Sequence, residues 1–205
     1  LYAEDEFFAV RLTQALDAQA IAAADAGMSG MNARGNEARQ LQTMASATAR
    51  FLTADDGPRI AVLEAGGWDT HANQGTTTGA LANRLEGLDT GLRTLRQALG
   101  DAWSKTVVAV VTEFGRTVAV NGTRGTDHGT ASAAILVGGA VNGGRVLADW
   151  PGLRQADLYQ GRDLQPTTDL RSVFKGVLAE HLALPDSWLD TAVFPDSEAA
   201  PPLLG

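Results

Sequence analysis

Histidine and carboxylate side chains set close together beside apolar runs are where this chain has the most chemistry to offer. Three clusters hold them: Gly66-Gly67-Trp68-Asp69-Thr70-His71, Thr112-Glu113-Phe114-Gly115-Arg116-Thr117 and Gly125-Thr126-Asp127-His128-Gly129. The chain has 3 histidines, and two of them, His71 and His128, stand one or two positions from an aspartate. Imidazole nitrogen and carboxylate oxygen are the donors that hold zinc, manganese or iron. Asp69 and His71 are two apart, so in extended backbone both side chains point the same way, as co-ligands must. Gly66 and Gly67 let the backbone turn sharply before them. Each residue alone also fits a plainer role, with Asp69 capping a loop and His71 donating to a backbone carbonyl. Glu113 follows an apolar run, where a carboxylate needs a partner. Arg116 supplies an ion pair on one reading. On the other, Glu113 ligates a metal and Arg116 clamps an anionic substrate with its planar fork. Asp127-His128-Gly129 lies in a loop of small residues, and as a triplet alone it reads as a turn. The third histidine, His181, reads as surface or interface. Of the 4 tryptophans, only Trp68 is placed to line a pocket.

Composition narrows the classes open to the chain. At 205 residues it can bury a substantial core. Apolar residues make up 44% and charged residues 20%, the balance of an ordinary globular protein. Sixteen basic residues stand against 24 acidic ones, a net charge of −8 that argues against a nucleic-acid partner. No apolar run approaches the roughly 20 residues that span a bilayer. The absence of cysteine excludes disulfides, thiolate ligands and a cysteine nucleophile, and fits a reducing or an oxidising compartment equally. Leu1 is not an initiator methionine, so the expectation is a removed leader or a fragment of a longer chain.

The elements that must position the clusters follow from periodicity. Residues 4–24 read as a helix, 25–36 as a glycine-rich connection and 37–51 as a second helix. Residues 59–65 read as a buried strand through Ile60, Ala61, Val62 and Leu63. The clearest helix spans 78–99, with Leu81, Leu85, Leu88, Leu92, Leu95 and Leu99 at helical spacing, and is expected to pack on a sheet. Residues 106–111 (TVVAVV) are the next buried strand, 133–137 a third, and 141–149 a short strand or turn. A last helix starts at Pro166-Thr167-Thr168-Asp169, with Thr167 or Thr168 as N-cap and Asp169 favouring the positive helix end. That order predicts an α/β fold, a mostly parallel sheet with helices on both faces. It divides into an N-terminal helical arm (1–56), a metal-site domain (57–194) and a flexible tail (195–205). In such sheets ligands bind beyond the carboxyl ends of the strands, where Asp69, His71 and Glu113 fall.

The three clusters occur together, in order, each beside a strand. GGWDTHANQG, TVVAVVTEFGRTVAVNGTRGTDHGTASAAILVGGAVNGG and DWPGL resemble the bacterial domain-of-unknown-function family 1501, over about residues 57–195. That family is typically exported by the twin-arginine route and is grouped with the alkaline phosphatase and sulfatase superfamily. The resemblance therefore implies an alkaline-phosphatase-like fold incomplete at its N-terminus, a periplasmic or secreted location, and metals held at the carboxyl ends of the sheet. Asp69 and His71 look like the superfamily's Asp-and-His ligand pair, Glu113 stands at its Asp-His position, and His128 is similar to its late histidine ligand. The expected ligand set is Asp69, His71, Glu113, Asp127 and His128, holding zinc or manganese, or calcium where carboxylates dominate. Arg116 would be the anion clamp, and no serine or threonine stands out as nucleophile. Two departures matter: Glu113-Phe114 replaces an Asp-His pair, and the half that carries the first metal aspartate and the nucleophile is missing. The function implied is the C-terminal part of a metal-dependent hydrolase of phosphate or sulfate esters. Its substrate would be an anionic small molecule or a glycan ester. Its partner would be the missing half or a second copy. The alternatives are an exported metal- or carbohydrate-binding protein without turnover, and a structural fragment whose polar clusters are caps and ion pairs.

Overall fold

A computed structural model describes residues 36–198 and 203–204. The first expected helix, 4–24, lies outside the described residues. The described chain forms two compact units, one from residues 36–69 and Thr76–Gly100, the other from Thr70–Gly75 and the described residues from Asp101 onward. The sequence divided the chain near residue 56. The structure divides it later and places the leucine-patterned helix in the first unit.

The first unit is a pair of packed helices, α1 (Asn36–Thr53) and α2 (Ala80–Leu99). Both come within a few residues of the predicted bounds, as long periodic segments should. They meet through small residues. A Cβ added at Gly91 would stand 2.6 Å from Leu41 Cγ, and one at Gly87 would stand 3.3 Å from Ala38 Cβ. Ala45, Ala47 and Ala49 are buried on α1. The leucine stripe is only partly used: Leu95 and Leu99 are buried, whereas Leu85 is 49% exposed. The predicted strand at 59–65 takes no ladder partner among the described residues, and Val62 is 93% exposed.

After α2 comes a 3-10 turn, Gly100–Lys105, and the described residues of the second unit beyond it carry four short strands: β1 (Val108–Val110), β2 (Gly115–Arg116), β3 (His128–Gly129) and β4 (Ile135–Val137). β1 pairs with β4, Val108 opposite Val137 and Val110 opposite Ile135, and β2 pairs with β3, Gly115 opposite Gly129. Both ladders are antiparallel. The runs read as the second and third buried strands thus pair with each other, in the opposite sense to the mostly parallel sheet that the element order predicts. Residues 141–149 form no strand, and Val146 is 92% exposed.

The chain closes on α3 (Leu170–Leu182) and a helical turn, α4 (Asp186–Trp188), that runs into a π-turn at Leu189–Val193. Asp169, not Thr167 or Thr168, is the N-cap of α3: its carboxylate accepts from the Arg171 amide at 2.8 Å. Buried Lys175 pairs with Asp190 at 2.6 Å, and Phe174 stacks on Phe194. The tail was expected to be flexible, but Leu203 and Leu204 are buried. Their amides donate to the Glu180 carboxylate at 2.8 and 2.9 Å, the interaction that backbone donors need once out of water. No helix among the described residues is long and apolar enough to cross a membrane.

Candidate metal centre

The site is built on two loops stitched by backbone hydrogen bonds. The loop Thr70–Gly75 is held against residues 121–126 by Asn73 N to Thr123 O and Gln74 N to Arg124 O, both 3.0 Å, and by Thr126 N to Thr70 O at 3.3 Å. The contact is so close that a Cβ at Gly125 would fall 2.2 Å from the His71 carbonyl carbon. Glycine at that position is what lets His71 lie over the second loop. Gln74 Oε1 then accepts from both Thr70 Oγ1 (2.9 Å) and Thr126 Oγ1 (2.7 Å), two threonines that are themselves buried.

On this frame the two histidine rings face each other. His71 Nε2 and His128 Nε2 are 3.2 Å apart, with ring centroids at 4.8 Å. On its other edge His71 Nδ1 meets Asp127 Oδ1 at 3.1 Å. An ionised carboxylate can only accept, so Nδ1–H donates to Asp127 and the Nε2 lone pair is left facing His128. Asn121 Nδ2 donates to the same Asp127 oxygen at 2.9 Å and to the His71 carbonyl at 3.0 Å. These contacts hold the Asp127 carboxyl below its ordinary acidity range, the Asn121 hydrogen bond first, then the His71 hydrogen bond. Asp69, two residues before His71, completes a set in which Asp69, His71 and His128 each offer one ligand atom, all within 4.8 Å of one another.

This donor set fits a borderline divalent cation. Two nitrogens each at ~2.0–2.1 Å from a tetrahedral zinc stand about 3.3–3.4 Å apart, which is close to the spacing here. A ligating histidine commonly passes its other ring proton to a carboxylate, which fixes its tautomer and orientation; Asp127 stands where that carboxylate belongs.

Of the five residues expected as ligands, the structure gathers three. Asp127 lies outside that group, and its Oδ1 meets His71 Nδ1 instead. Glu113 is exposed and outside the group. At the bend after β1, Thr112 Oγ1 donates to the Phe114 carbonyl (3.0 Å), and it is the Phe114 ring that lies against His128, centroids 4.4 Å apart. Arg116 sits directly across the ladder from His128. Its Nε donates to Thr126 Oγ1 at 3.1 Å and its Nη2 to the Thr126 carbonyl, so two of its nitrogens brace the loop that carries Asp127. His181 lies half-buried on α3.

Two contributors escaped the sequence reading. Asn121 is one: its Oδ1 accepts from Thr123 N (3.0 Å), Thr123 Oγ1 (2.8 Å) and Gly125 N (3.0 Å), which makes it the hub of the loop. An asparagine opening a turn that ends four residues later in glycine was the available signal. Asp163, only 2% exposed, accepts from Thr130 Oγ1 at 2.8 Å and from Arg162 Nη2 at 3.0 Å, and its residue bridges to Thr117. It anchors the β2–β3 hairpin just beyond His128, and nothing around it in sequence announces that.

A family model described as "Protein of unknown function (DUF1501)" matches residues 3–193. No curated protein and no solved structure matches the chain.

Proposed function

The chain belongs to the DUF1501 family, and from that premise and the geometry at His71 we propose that it carries the metal centre of a hydrolase acting on phosphate or sulfate esters. The observation that carries this is the pair of Nε2 atoms at 3.2 Å, with the far edge of His71 held by Asp127. Asp69, His71 and His128 would hold zinc or manganese. Such an ion, when bound, polarises an ester oxygen and offsets the negative charge that develops there. The chain's own residues do the rest. Asp127 and Asn121 keep His71 in the tautomer that presents Nε2. Arg116, across the ladder from His128, adds positive charge that favours an anionic ester. The alkaline-phosphatase-like sheet and a periplasmic or secreted location belong to the same proposal, supported by the sequence resemblance.

One observation favours the second reading, a metal-binding protein without turnover. The hydroxyls nearest the clusters all have acceptors. Thr70 and Thr126 donate to Gln74, Thr112 to Phe114 O, Thr117 to Ala119 O at 3.0 Å and Thr130 to Asp163. A nucleophile must be held in line with the scissile bond and paired with a base. Only Thr130 meets a carboxylate, and Asp163 is a weak base because the Arg162 and Thr130 hydrogen bonds lower its proton affinity. We therefore expect the 205-residue chain to bind zinc or manganese and to hydrolyse chromogenic phosphate and sulfate esters poorly by itself. Calorimetric titration of wild type, His71→Ala and His128→Ala checks the first part: the affinity falls at least ~10-fold in each variant. Equal affinity in all three would sink the metal centre. Metal-dependent turnover by the chain alone would place the nucleophile within it and defeat the second reading.

A further inference from the structure

The first unit contains a cavity of ≈ 450 Å³ whose walls combine an aromatic face with a polar rim. Trp68 is the aromatic wall, half-buried; Leu41 and Met44 of α1 add apolar surface; Gln40, Glu64 and Asn83, all exposed, form the rim. Nothing in the metal centre uses these side chains.

The wall is set in place rather than hanging in a loose loop. Arg84 Nε donates to the Gly67 carbonyl at 3.0 Å, one residue before Trp68. Gly67 has φ +84°, and a Cβ there would stand 2.5 Å from Arg84 Cζ. Glycine supplies the left-handed turn, and the absent side chain leaves room for the guanidinium that fastens the turn to α2.

The chemistry of the walls selects the ligand. Glutamine and asparagine side chains both donate and accept, while a glutamate carboxylate only accepts. That mixture suits hydroxyl groups, which also do both. A wholly apolar ligand would strip the rim of water and leave its polar groups unpaired, at a cost in free energy. Charge points the same way. Among the described residues of the walls, the ionic groups Glu64 and Arg84 have opposite signs, which favours neither a free anion nor a free cation. A flat aromatic face takes the C–H-bearing face of a saturated ring by dispersion and weak C–H contacts to the π system. A neutral six-membered-ring sugar has that pairing: one apolar C–H face and an edge of hydroxyls.

We infer that this cavity is a binding site for a neutral pyranose residue, stacked on Trp68 with its hydroxyls on Gln40, Glu64 and Asn83. The inference goes beyond the metal-centre reading and does not depend on it.

The test is saturation-transfer NMR on the full 205-residue chain, run in chelator so that no metal contributes. The probes are the methyl glycosides of glucose, galactose, mannose and N-acetylglucosamine, with glucuronate and glucosamine as charged comparators. At least one neutral sugar receives saturation, strongest on the ring protons of one face, with a millimolar dissociation constant. Trp68→Ala abolishes the transfer and Trp68→Phe retains part of it. Gln40→Ala and Asn83→Ala each weaken binding about 2- to 10-fold, the size of one lost hydrogen bond. His128→Ala leaves the transfer unchanged, which keeps this result separate from the fate of the metal centre. Circular dichroism shows each variant folded; should Trp68→Ala unfold, the Gln40 and Asn83 variants decide. No transfer to any neutral sugar, transfer that survives Trp68→Ala in folded protein, transfer lost in His128→Ala, or stronger transfer to the charged sugars would overturn the inference.

Discussion

At the scale of single residues, the candidate site turns on one carboxylate whose partner in space is not its neighbour in sequence. Asp127 sits beside His128, and adjacency argues for two ligands side by side. The structure instead turns Asp127 toward His71, 56 positions earlier, at 3.1 Å. That exchange has a measurable consequence. Asp127→Asn keeps the shape and an acceptor for His71 Nδ1–H, but it removes the charge that raises the basicity of Nε2. Zinc affinity should fall about 10- to 100-fold, the usual loss when a histidine ligand's carboxylate support is removed. Thermal stability should be little changed, because the Asp127 side chain is 55% exposed. Calorimetric zinc titration beside a thermal melt reads both. An affinity equal to wild type would show that Asp127 does not support the ligand. The residue types and their clustering were legible in sequence; their partners were not. Spacing says which side chains share a face of one segment, whereas the Asp127–His71 contact joins two loops that only tertiary pairing brings together.

At the scale of elements, the described helices lie where their periodicity puts them and the strand runs pair otherwise than the element order suggests, and the reason is visible in particular segments. Residues 36–53 and 80–99 are long enough for a 3.6-residue period to show. The strands are 2 or 3 residues long, and a run such as TVVAVV states its apolarity without stating its partner or direction. Helix starts fall between these cases. Pro166-Thr167-Thr168-Asp169 has three residues able to cap, and only the backbone geometry selects Asp169, which is extended at φ −76°, ψ 124° and accepts from Arg171 N. Asp169→Ala should therefore cost about 1 kcal/mol of stability, within a range of roughly 0.5–2. Thr167→Ala and Thr168→Ala should each stay within ~0.5 kcal/mol of wild type. Urea unfolding followed by circular dichroism compares the three. A larger loss in either threonine variant than in Asp169→Ala would move the cap. Metal affinity should be the same in all of them, since α3 contributes nothing to the His71–His128 pair.

At the scale of the whole molecule, charge and exposed apolar surface act together. The chain carries a net charge of −8 and a sequence pI ≈ 4.8. Val62 (93% exposed), Val146 (92%) and Trp150 (60%) leave apolar surface in contact with water. Repulsion between like-charged molecules opposes association through such surface, and it vanishes near the isoelectric point. The fold should outlast that point. Asp163 is buried, and hydrogen bonds from Arg162 first and Thr130 next hold its carboxyl below the usual carboxylate range. A group whose folded pKa is depressed contributes stability that is fully present above the unfolded value, about 3.9. That stability is lost as pH falls through the lower folded value. Asp127 and Asp169 are lowered as well, so their contributions fade over the same acid window. Two separate events are expected on acidification. Light scattering should rise near pH 4.8 with the circular dichroism spectrum unchanged, and should fall again when the pH is raised. Loss of the spectrum should begin only below about pH 4, and Asp163→Asn, which cannot ionise, should flatten the decline of stability across that window. Simultaneous scattering and loss of helical signal at pH 5 would show that carboxylates other than these three control the acid limit of the fold.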